Sequence, residues 1–311
     1  MRTLAGMIVA VTALAQQPAW AQPLDLTKGG AIELTWRDES EIRDQEKTAT
    51  VTGDARAVRG NVTVLADKLV AHYRKKAGSA DNGGTGTGGN EIYRLEAHGH
   101  VRIVTPTDEA VGDAAVYDID QAVLVMTGAA LRLTTPQQVL TARDSLEYWS
   151  EKRMAVARGA AVVVTSDGRR IAADTLVGYT AAPTSDQPAA AKADPSAASG
   201  TLERVEAYGN VEVRTTTDTG RADRGLYVAA LDSAWLLGNV RLSASNGMQM
   251  KVDAAVANKK TGIFRTVNKP GNRAQGMIPP SPGKAPPAAA PAPINKPPSA
   301  VAPAATSKPK P

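Results

Sequence analysis

A unit of roughly 30 residues recurs through the middle of this chain, and it leaves few folds open. The unit reads as an apolar strand, a glycine, a second strand, a polar turn, and then an aspartate that leads into a third strand, often with tyrosine. It can be followed six times, with glycines at Gly53, Gly99, Gly128, Gly159, Gly209 and Gly238 and aspartates at Asp67, Asp113, Asp144, Asp174, Asp223 and Asp253. Successive glycines lie 46, 29, 31, 50 and 29 residues apart. The two long intervals hold low-complexity inserts, residues 77–90 (Gly, Ser, Thr) and 181–200 (Ala, Pro, Ser), and without them both return to the common period. The inserts are therefore expected as flexible loops.

Within the unit the pattern is that of strands. Val62-Thr63-Val64, Val101-Arg102-Ile103, Leu131-Arg132-Leu133, Val211-Glu212-Val213 and Val240-Arg241-Leu242 alternate apolar and polar residues, which puts one face of a sheet in the core and the other in water. No convincing amphipathic helix interrupts them. Glycine is expected at a tight corner between two strands, supported by the neighbouring Asp54, Asn210 and Asn239. A 30-residue unit cannot cover its own apolar face, so units must stack. The body is predicted to be all-β: about six stacked repeats forming an open antiparallel sandwich. Ile32 to Trp36 and Gly262 to Val267 are its terminal strands, and their edges are either capped or open to strand addition.

Two further segments frame this body. Arg2, the apolar run from Leu4 to Ala15 and the Ala19-Trp20-Ala21 site read as a cleavable signal peptide over residues 1–21, with an apolar stretch too short to span a bilayer. Residues 22–268 are the body. Residues 269–311 hold 13 of the 20 prolines and no acidic residue, and are expected as a disordered Pro/Ala/Lys-rich tail. The tail's six cations and Arg2 account for the basic balance of the chain, leaving 29 basic against 31 acidic residues elsewhere. That balance speaks against a nucleic-acid partner.

Candidates for chemistry are few. The chain has no cysteine and three histidines. His98-Gly99-His100 lacks a third metal ligand nearby, one Asp per repeat is short of a calcium shell, and neither a triad nor a phosphate loop is evident. Glu203 and Glu206 could form a carboxylate pair, but nothing fixes their separation. The expectation is no catalytic residue, no metal and no cofactor. What remains is an aliphatic interior, either a closed core or a trough for acyl chains.

The strings Val-Thr-Gly-Asp-Ala (51–55), Ala-Tyr-Gly-Asn-Val-Glu-Val (207–213), Leu-Leu-Gly-Asn-Val-Arg-Leu (236–242) and Leu-Ala-Asp-Lys-Leu-Val-Ala-His-Tyr (65–73) sharpen this. Together with the signal peptide, they resemble the OstA-like domain family of periplasmic lipopolysaccharide-transport proteins (LptA-like) over about residues 30–265. The resemblance implies an antiparallel β-jellyroll open at both ends, holding the acyl chains of lipopolysaccharide (lipid A). It also implies end-to-end homo-oligomers, and joining to the jellyroll domains of inner-membrane (LptC-like) and outer-membrane (LptD-like) transport proteins. Ile32 and Leu34 match the family's first lipid-contacting strand, and Ile103, Tyr117 and Ile119 match further inward positions. Alternation and repeat position add Val62, Val64, Leu69, Val101, Leu131, Leu133, Leu146, Tyr148, Val211, Val213, Tyr227, Val240 and Leu242 as lipid-facing candidates. The body is longer than the family's short form, and the tail has no counterpart there. A periplasmic polysaccharide-binding or scaffold β-repeat protein is the alternative.

Overall fold

The computed structural model describes residues 32–75, 90–181, 202–258 and 260–279. The expected signal peptide, nearly all of both inserts and the tail from residue 280 lie outside the described residues. What is described is one antiparallel sheet of 18 strands. Glu33–Thr35 (β1) and Glu39–Arg43 (β2) precede Thr48–Arg59 (β3), Val62–Lys75 (β4), Asn90–Val104 (β5) and Glu109–Asp118 (β6). Val123–Thr127 (β7), Leu131–Thr134 (β8), Gln138–Ala142 (β9) and Ser145–Trp149 (β10) follow, then Met154–Thr165 (β11) and Arg170–Thr180 (β12). The remainder is Leu202–Arg214 (β13), Asp218–Val228 (β14), Ser233–Ala244 (β15), Gln249–Asn258 (β16), Ile263–Val267 (β17) and Gln275–Met277 (β18).

The shorter strands are halves of longer ones. β1 and β2 both pair with β3, β7 and β8 both with β6, and β17 and β18 both with β16. Every long strand crosses one common line, and the repeated glycines mark it. Five of the six are not turns between strands, as the sequence suggests, but bulges inside a strand, while Gly128 lies in the break between β7 and β8. In β3, Gly53 and Asp54 both have positive φ (84° and 46°), and the register slips between Thr52 and Ala55 so that these two residues face Asp67 alone. The same slip recurs at Gly99-His100, Gly159-Ala160, Gly209-Asn210 and Gly238-Asn239. A bulge bends the strand and strengthens its twist. Repeated in register from strand to strand, it folds the sheet along a crease into two facing halves.

The two halves bury one shared interior. Leu69, Ala97, Ala115, Met126, Leu146, Ala157 and Leu176 follow one another by strand register on the inner side of one half. Beyond β11 this interior is packed solid: Leu176, Val211, Val213, Leu236, Val240 and Leu242 are each at most 2% exposed. The body also runs past the expected boundary at residue 268. Gln275–Met277 pairs with β16, because the far half of β16 would otherwise present a bare edge. Ser145–Ala157, where Leu146 and Trp149 stand at helical spacing, forms β10 and the start of β11, since its partners β7 and β12 supply the hydrogen bonds.

Candidate functional site

Towards the N-terminal edge the halves part. A cavity of about 440 Å³ opens there, lined by residues of both halves. Of the residues expected to face lipid, Ile32, Leu34, Val62, Val64, Leu69, Ile103 and Tyr117 line it. Alternation along β4 alone would not have separated these from their equivalents in later repeats. Leu124, Leu95 and Ile92 line it too and were not anticipated, since they stand outside the recurrent motif strings. Leu34 is 42% exposed, so the lining reaches solvent beside β1.

A smaller cavity of about 80 Å³ adjoins it, sharing Ile103 and Leu124. Leu133, Leu146 and Tyr148 line this second space, with Met126 and Leu140. The other candidates lie elsewhere. Val101 and Leu131 are packed to 0% and 2% exposure close to the crease, and Ile119 leans on the core from the end of β6. Val211, Val213, Tyr227, Val240 and Leu242 belong to the solid interior beyond β11 and border neither cavity. Identical alternation thus serves two purposes. It packs where inner side chains of the facing half fill the gap and lines a void where they fall short.

Charge is sparse around the larger cavity. Arg59 and Glu96 border it. Glu96 pairs in register with Val70 and Val116, out of phase with the inward Ala97, and three cationic or polar groups hold its carboxylate. His72 Nε2 and His98 Nε2 each lie 3.0 Å from it, and Arg94 Nε lies 2.9 Å away. Burial pushes the Glu96 carboxyl up, but the His98 hydrogen bond and the Arg94 and His72 charges outweigh it and hold the group below the usual carboxylate range. Arg59 stands instead in the inward register of Ala55 and Ala57, next to the turn into β4.

The histidines flanking Gly99 diverge. His98 meets Glu96, whereas His100 Nδ1 lies 2.8 Å from Asp67, which raises the His100 pKa through that hydrogen bond and charge. Among the described residues no group of three or more His, Cys, Asp or Glu side chains is placed to hold a metal ion. Glu203 is exposed, and Glu206 is occupied by Arg204 at 3.0 Å and by the Tyr208 hydroxyl, which donates to it. The crease carboxylates are likewise engaged: Asn210 and Asn239 donate through Nδ2 to Asp174 and Asp223 at 2.9 and 2.8 Å, and Asp253 accepts from the Lys269 N–H at 2.7 Å. Among the described residues no helix is long and apolar enough to cross a membrane.

A creased antiparallel sheet with an aliphatic cavity between its halves is a β-jellyroll architecture. Residues 37–144 match the family model described as the LptA/(LptD N-terminal domain) LPS transport protein. An uncharacterized protein of Rhizobium meliloti (strain 1021) is 30% identical over 137 residues, which cover 44% of this chain and 70% of that relative. The chain belongs to this lipopolysaccharide-transport family. Among solved structures it is similar to LptH of Pseudomonas aeruginosa, described as the LptA homologous periplasmic component of the conserved lipopolysaccharide transport device. That similarity is 15% in sequence, covers 46% of this chain and 95% of LptH, and has a TM-score of 0.35.

Proposed function

We propose that this protein is a periplasmic lipopolysaccharide-binding bridge: a non-enzymatic carrier, exported by its signal peptide, that shields lipid A acyl chains on their way to the outer membrane. The supporting observation is the coincidence of two features. The part of the chain matching the transport family, residues 37–144, supplies most of the residues lining the roughly 440 Å³ aliphatic cavity. A volume of that order suits a ligand of a few tens of heavy atoms. Each methylene removed from water stabilises the complex by about 0.8 kcal/mol, so even partial insertion of acyl chains gives substantial affinity.

The edges support partners that add strands. Among the described residues, β1 and β2 pair only with β3 at one end and β17 and β18 only with β16 at the other, and Ile42, Val267 and Met277 are exposed along these outer strands. These edges suit strand addition by a second copy or by the jellyroll domains of the inner- and outer-membrane (LptC-like and LptD-like) components. The test is photocrosslinking in cells. A crosslinker at Ile103 or Tyr117 is expected to yield adducts with lipopolysaccharide, whereas one at Val240 or Leu242 is not. Adducts with glycan alone, or none from either cavity position, would overturn the proposal in favour of a polysaccharide-binding scaffold.

A further inference from the structure

Arg59 is a cation in the inward register of a mainly aliphatic trough. It closes β3 at the turn Arg59-Gly60-Asn61-Val62, in the same inward register as Ala55 and Ala57, and borders the larger cavity beside Val62 and Ile32. Its Nε is shielded from solvent although the side chain as a whole is only half-buried. The neighbouring strand β1 sets it at the solvent end of the lining, because Val58 pairs with Glu33 at the edge where Leu34 is exposed. The other charged residue at this cavity, Glu96, is an anion, its carboxylate surrounded by His72, His98 and Arg94. A guanidinium at the rim of an apolar cavity is suited to an amphiphile: hydrocarbon goes inward, and an anionic oxygen group at the top of the chains meets the cation. Its planar fork matches phosphate or carboxylate through two parallel hydrogen bonds, which a lysine ammonium does not reproduce.

We propose that Arg59 is a specificity-determining residue of the cavity, recognising the phosphate or carboxylate that the bound lipid carries where its acyl chains join the headgroup. This rests on the lipid-carrier reading and adds to it a discrimination between anionic and neutral amphiphiles. The experiment uses the full chain, with Arg59→Gln and Arg59→Lys variants whose unfolding midpoints are measured alongside. Binding is titrated with bisphosphorylated lipid A and with the same lipid after enzymatic removal of its phosphates. The unmodified protein is expected to favour the phosphorylated form by roughly tenfold, as for hydrogen bonds to a charged group. Arg59→Gln should abolish that preference, weakening the phosphorylated lipid roughly tenfold more than the dephosphorylated one, and Arg59→Lys should retain only part of it.

Equal binding of the two lipids by the unmodified protein would overturn the role of Arg59 while leaving the carrier reading intact. An equal loss of both lipids in Arg59→Gln would also overturn it, marking the residue as structural. Failure of the unmodified protein to bind either lipid would overturn the carrier reading and this inference together. Should Arg59→Gln not fold, the lipid pair measured on the unmodified protein and on Arg59→Lys still decides the matter.

Discussion

The carboxylate of Asp144 occupies the space beside Gly159 where a side chain would begin: a Cβ built on Gly159 would lie 2.3 Å from Asp144 Cγ. Asp113 stands in the same way to Gly128 and accepts the Ala129 N–H through Oδ2 at 2.7 Å. Asp38, Asp67, Asp174 and Asp223 do so at Gly53, Gly99, Gly209 and Gly238. The crease is thus held by a ladder in which each glycine accommodates the aspartate of the preceding strand. Both halves of the motif are needed, because the bulge demands positive φ and the carboxylate demands the missing Cβ.

Gly159→Ala combines a φ of +82° with the Asp144 overlap, and is expected to destabilise the fold by about 3 kcal/mol. Gly168 has a similar φ of +83° but nothing within 4 Å of its Cβ position, and its alanine variant should lose only about 1 kcal/mol. Urea unfolding midpoints of the two variants separate backbone strain from the carboxylate clash. Equal losses would show that the aspartate yields freely.

The two ends of the interior should respond differently to truncation. Leu236 is 1% exposed in the solid interior beyond β11, and Leu236→Ala should destabilise by about 3 kcal/mol by leaving a void. Leu69 already borders the large cavity, so Leu69→Ala should remove less than about 1.5 kcal/mol, since fewer contacts are lost. Denaturant titration of the full chain measures both.

Glu96 supplies a pH dependence whose sign is fixed. Its folded pKa lies below the ordinary value of 4.5, so its stabilising contribution is present above that pH and is lost as pH falls through the lower folded value. Glu96→Gln should flatten the acid limb of a stability-against-pH curve below about pH 4.5 and leave stability near neutrality lower than in the unmodified protein. The groups facing this carboxylate are His72 on β4 and Arg94 and His98 on β5. An acid limb unchanged by the substitution would show that these contacts contribute nothing.

Strand addition at the ends predicts a polarity of assembly. Ile42 is 75% exposed on one edge and Val267 61% on the other, and a lysine at either position should block edge-to-edge pairing. Sedimentation should show the loss of end-to-end oligomers in Ile42→Lys and in Val267→Lys, and no restoration on mixing two chains that are each altered at both edges. Mixing the two single variants should give dimers joined through their intact ends, because Ile42→Lys retains the β17–β18 edge and Val267→Lys retains the β1–β2 edge.

Much of this architecture was legible in the chain itself. Four of the six aspartate–glycine contacts, such as Asp113 with Gly128 and Asp144 with Gly159, span 15 positions, a spacing set by half a strand, one turn and half of the next strand. The other two, Asp67 with Gly99 and Asp174 with Gly209, enclose the low-complexity inserts. Asp38 was overlooked because it precedes the first repeat glycine and so has no unit of its own. The glycine's position inside a strand also went unread, since a bulge and a turn favour the same residues.

Local pattern therefore determined that this chain forms a stack of antiparallel strands with one apolar side, because alternation and glycine act over a few neighbouring residues. It could not tell Val62 and Val64, which border the void, from Val211 and Val213, which fill a solid interior. That choice belongs to the tertiary structure. Whether two facing halves close or part depends on the summed size of side chains that meet across the gap, and those come from strands far apart in sequence.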